Sequence, residues 1–157
     1  MTTLDSILAE EHVRRQVTFL KIDTDGHELQ TLRGAANWML HGPGVRYLKV
    51  EFVPYALEKG NNGDAGAPLE LLGLLRRWGF SMYNIIWQGG MEGEFFCVHD
   101  LQPLHPENDE EWIERLRRVD TYAGTNILGV NSSYTARMSF DLACMQDDSL
   151  QDDSLPV

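Results

Sequence analysis

Residues 19–35 read FLKIDTDGHELQTLRGA, an apolar run that stops at two aspartates and a glycine and then resumes with helical spacing. Asp-x-Asp-Gly suggests a calcium loop first. Counting from Asp23 places Asp25 third, but the fifth position is His27, the sixth Glu28 and the twelfth Gly34. An EF-hand needs glycine at six and a bidentate glutamate at twelve, with a helix in front. This run has neither, and VTFLKI (17–22) before it is a short, β-rich, mostly apolar stretch that predicts a buried strand. After the acidic turn, Leu29, Leu32, Ala36 and Met39 form one helical stripe along ELQTLRGAANWML, which Gly42-Pro43-Gly44 closes.

The same alternation continues. VRYLKVEFV (45–53) predicts a second strand, LELLGLLRRWGF a second helix through Leu69, Leu72 and Leu75 that ends at Gly79, and FSMYNII (80–86) a third strand. Beyond it, WQGGMEGEFFCV reads as a hairpin through Gly89-Gly90 and NDEEWIERLRRV as a helix with acids first and arginines last. TNILGV (125–130) reads as a last strand, and Thr3-Leu4-Asp5 with SILAEEH as a short capped helix near the start. Strand and helix in alternation define a parallel α/β sheet with right-handed crossovers, whose ligands sit beyond the carboxyl ends of the strands. Asp23 follows the first strand and Glu51 lies near the end of the second, so if these strands are neighbours both acids approach one edge of the sheet. Helix capping by Asp23 and Asp25 is the competing reading, and the residues alone leave both open.

With 157 residues, 43% hydrophobic, and four tryptophans, the chain can bury one substantial core. A net charge of −11 argues against nucleic acid as a partner, since that surface needs a basic stripe. Five of those charges are Asp141, Asp147, Asp148, Asp152 and Asp153, beyond the last arginine at Arg137, which leaves −6 on the body. Residues 132–157, with QDDSL twice in tandem, read as an acidic disordered tail. Cys97 and Cys144 make neither a disulfide framework nor a zinc site, and Cys97-x-His99 is a small buried residue beside a surface histidine rather than a ligand pair. The five histidines show no metal-ligand spacing. No membrane-spanning run or signal peptide is legible, so the default expectation is a cytoplasmic chain, subject to any segment upstream.

FLKIDTDGHELQTLRGA resembles the fourth-strand segment of FkbM-type methyltransferases, roughly F-L-K-I-D-V-E-G-x-E-x-x-x-L-x-G-A. Lys21, Ile22, Asp23, Gly26, Glu28, Leu32, Gly34 and Ala35 match, and Asp25 stands where the family usually has glutamate. TTLDSIL resembles the approach to that strand, YLKVEFVP the fifth strand with its glutamate at Glu51, GFSMYNI the entry to the next, and TNILGVN the closing strand. The resemblance spans about residues 2–131. It implies an α/β fold, the C-terminal half of a class I, Rossmann-like methyltransferase sheet, strands four to seven with flanking helices. It also implies S-adenosylmethionine as cofactor and methylation of a hydroxyl on a small-molecule acceptor such as a sugar.

By the same resemblance, Asp23 faces the methyl-transfer cleft and the cofactor, Asp25 and Glu51 join it as catalytic candidates, and His27 and Glu28 are substrate-binding candidates. Methylation at oxygen needs the hydroxyl in line with the sulfonium and a group to take its proton. The family holds its cofactor mainly through a glycine-rich turn after strand one and an acid ending strand two, and no stretch of this sequence matches either. The expectation is therefore a partial domain over residues 1–131, weak in cofactor binding alone. Its first strand would be an open apolar edge for self-association or for pairing with a partner strand. A non-catalytic remnant or interaction module using that edge is the alternative. Tyr83 and Trp87 could stack on a substrate ring, though aromatics there more often pack a core.

Overall fold

The computed structural model describes residues 2–8, 17–41, 44–85, 101–119 and 124–132. In chain order, the elements are α1 (Leu4–Leu8), β1 (Phe19–Ile22), α2 (Glu28–Arg33), α3 (Ala36–His41), β2 (Tyr47–Phe52), α4 (Pro54–Gly60), α5 (Ala67–Arg77), β3 (Phe80–Ile85), β4 (Leu101–Pro103), a 3-10 turn (Pro106–Asn108), α6 (Asp109–Val119) and β5 (Thr125–Asn131). The hairpin expected over 87–98, Trp87, the Cys97–His99 pair and the acidic tail lie outside the described residues.

The sheet runs β1-β2-β5-β3-β4. β1 and β2 are parallel neighbours, with Ile22 level with Val50, which meets the condition under which Asp23 and Glu51 approach one edge. One expectation needs correction: the sheet is mixed, because β5 lies antiparallel between β2 and β3, and β4 is antiparallel to β3. Strand direction depends on the path of the preceding connection, which hydrophobic alternation does not encode. The result is a five-stranded, Rossmann-like α/β sheet with flanking helices.

Register sorts the side chains onto two faces. Ile22, Leu48, Val50, Phe52, Ile127, Phe80 and Met82 share one face and are buried in the core with Leu29, Leu32, Leu57, Leu71, Leu72 and Leu75 from the helices. Phe52 stacks on Trp112 of α6 at 5.0 Å between ring centroids, which fixes that helix over the sheet. Tyr47, Lys49 and Glu51 project to the other face and are half-buried.

The single helix expected over 28–40 is two. Gly34 ends α2, its carbonyl accepts the Asp5 N–H at 2.8 Å, and the Asp5 carboxylate accepts the N–H groups of Asn37 (3.1 Å) and Trp38 (2.8 Å). An acid from α1 therefore caps α3, a role no local pattern reveals. α4 was not predicted. Its signal is Pro54 at the first helical position after an extended Val53.

Candidate functional site

The carboxyl end of β1 and the helix that follows are joined by residues 23–27. Asp25 has φ of 50° and Gly26 a φ of 95°, so the chain turns through two left-handed residues. Glycine is required at the second. A Cβ on Gly26 would lie 2.3 Å from the Ala56 carbonyl oxygen, so the turn rests directly on the backbone of α4. Gln30 reinforces the seating by donating from Nε2 to the Gly60 carbonyl at 2.6 Å.

This turn brings Asp23, Asp25 and Glu51 together. One carboxylate oxygen from each lies within 4.8 Å of the others. Asp23 and Asp25 are exposed and Glu51 is half-buried. Lys21, two residues before Asp23 on the same face of β1, pairs with it at 2.7 Å. That hydrogen bond, with the ammonium charge, holds the Asp23 carboxyl below its usual range and raises the Lys21 ammonium in turn. Glu51 moves the other way. Burial pushes its carboxyl up, and the charges of Asp23, Glu28 and Asp25 push further. The two neighbouring acids are thus shifted in opposite directions by their surroundings. Oxygens at this spacing are within reach of a hard cation, although Lys21 already supplies a positive charge there.

The capping reading of the two aspartates does not hold. The residue before α2 is His27, which makes no side-chain cap, and the turn's donors go to Glu28 instead. Glu28 is fully buried, with Oε1 accepting from the Thr24 N–H (2.8 Å), the Gly26 N–H (3.2 Å) and the Thr24 hydroxyl (3.2 Å). It lies beneath the rim while Asp23, Asp25 and the exposed His27 lie on it. Its burial was not legible, because an acid in a first helical turn is ordinarily solvated.

S-adenosylmethionine suits these residues in part. An acidic rim at the strand ends complements a sulfonium charge. Two concavities among the described residues, of about 280 and 460 Å³, are lined by residues such as Gln102, His105 and Arg115 or Arg76, Phe80 and Met82. The second opens at the start of β3, level with the start of β2 and so at the opposite end of the sheet from Glu51.

A five-stranded mixed α/β sheet with flanking helices is compatible with a Rossmann-like methyltransferase fold. A family model described as the methyltransferase FkbM domain matches residues 1–82, just over half of the chain. The chain belongs to the FkbM methyltransferase family. No curated protein and no solved structure matches it.

Proposed function

We propose that the chain supplies the acceptor side of an S-adenosylmethionine-dependent O-methyltransferase acting on a hydroxyl of a small molecule, with a sugar as one candidate class. The observation that carries the reading is the convergence of Asp23, Asp25 and Glu51 beyond the carboxyl ends of β1 and β2, one carboxylate oxygen of each within 4.8 Å of the others. The cofactor supplies an electrophilic methyl group. Asp23 orients the acceptor hydroxyl, and a carboxylate of the three takes its proton as the oxygen becomes nucleophilic. Lys21 keeps Asp23 ionised, and His27 stands exposed at the same rim, within reach of an acceptor.

The cofactor pocket belongs to further strands, on a longer chain or a partner, that add beside β1. Support comes from β1 itself, which among the described residues pairs on one side only and leaves Phe19 half exposed. The test is a chimera that joins residues 1–132 to the cofactor-binding half of another FkbM-family enzyme. It is expected to bind S-adenosylmethionine and transfer methyl groups, with transfer lost by at least about 100-fold in Asp23→Asn or Glu51→Gln. A chimera that transfers equally well with both acids replaced sinks the assignment.

A further inference from the structure

Only two acids are buried among the described residues, and each needs a reason to be there. Asp109 has one in Arg76, whose guanidinium grips it with two parallel hydrogen bonds. Glu28 has no such cation among the described ion pairs. We propose that Glu28 is a positioning residue of the acid rim: its carboxylate gathers the donors of residues 24–26 and so fixes Asp23 and Asp25 opposite Glu51. This rests on the reading of the rim as the reacting edge, but it does not depend on the methyl donor.

The geometry is specific. Three donors from two residues converge on one oxygen, Oε1. Between those residues sits Asp25 in a left-handed conformation, which a residue with a side chain holds only where its surroundings over-determine it. Glu28 does so from within the fold, while α4 presses on the turn from the other side. A Cβ on Gly60 would meet the Gly26 carbonyl oxygen at 2.2 Å. The backbone of the turn is held by Glu28 and by the close approach of α4.

The placement has an electrostatic consequence as well. Glu51 faces Lys21 from β1, Asp23 and Asp25 from the turn, Glu28 from α2, and it shares β2 with Lys49. The Glu28 charge, held where solvent screens it poorly, favours the protonated form of Glu51. Glu28 would therefore set where the rim acids stand and add to the upward shift of the Glu51 carboxyl.

The test compares the 157-residue chain with Glu28→Gln and Glu28→Ala by NMR, using amide hydrogen exchange and a carboxyl-carbon titration of Glu51. In Glu28→Ala, exchange at Thr24 and Gly26 should quicken by about 10–100-fold relative to the rest of β1 and α2, the expectation for losing hydrogen bonds to a charged acceptor. Glu28→Gln keeps a carbonyl oxygen for the donors but removes the charge. It should retain most of the protection while the Glu51 midpoint falls, and a purely structural role would leave that midpoint in place. If Glu28→Ala does not fold, Glu28→Gln carries the test. Unchanged exchange in a folded Glu28→Ala, or an unmoved Glu51 midpoint in folded Glu28→Gln, overturns the proposal. No cofactor enters these measurements, so failure here is distinct from failure of the methyltransferase reading.

Discussion

Replacing Gly26 with alanine tests whether the acid turn is seated on α4. At φ of 95° a side chain is disfavoured by about 1–2 kcal/mol. The new Cβ would also meet the Ala56 carbonyl oxygen at 2.3 Å and its carbon at 2.7 Å. Both are backbone atoms near the start of a helix, so no rotamer change relieves them, and overpacking of this kind costs about 1–3 kcal/mol more. The sum, about 2–5 kcal/mol, is a large share of the ~5–15 kcal/mol typical of a domain. Gly63→Ala separates the two contributions. Its φ is 81°, but nothing lies within 4 Å of the added methyl, so it should lose only the conformational part. Equilibrium urea unfolding followed by tryptophan fluorescence measures both. A Gly26→Ala loss no larger than that of Gly63→Ala would refute the close approach, and with it the argument that α4 holds the rim.

Glu51→Gln reads the displaced carboxyl. The folded value lies above the ordinary 4.5, so the folded chain binds more protons through that window and stability falls as pH rises across it. The variant should be more stable than the parent at neutral pH, with the difference closing below about pH 4; an equal gap at both pH values rejects the shift. Arg76→Met strands Asp109 inside the fold and should cost about 3–5 kcal/mol in urea unfolding, much of it recovered when Asp109→Leu is added. Asp5→Ala removes the cap of α3 at a cost of about 0.5–2 kcal/mol, with faster exchange at Asn37 and Trp38 as the local signature.

What the sequence disclosed follows from what local patterns encode. VTFLKI and VRYLKVEFV are strands because both are continuous apolar, β-rich runs, and this alone put Asp23 and Glu51 at strand ends. Their meeting depended on β1 and β2 being neighbours, a long-range pairing that neither run encodes by itself. The break at Gly34 was hidden, since the helical stripe passes through it and the cap that restarts α3 comes from Asp5, about thirty residues earlier. The three-residue β4 and the seven-residue α4 are too short to show a period. The buried setting of Glu28, a substrate-binding candidate by the resemblance, was hidden for a related reason. Its partners are backbone donors that exist only once Asp25 and Gly26 turn left-handed, so its burial is a property of the folded loop.

The most direct measurement is isothermal titration of S-adenosylmethionine, and separately S-adenosylhomocysteine, into the purified 157-residue chain, with circular dichroism confirming that it is folded. The account places the acid rim here and the adenosine pocket on strands added beside β1, so it predicts no saturable heat. A dissociation constant in the micromolar range would contradict it, because the chain would then build a cofactor site from its own residues.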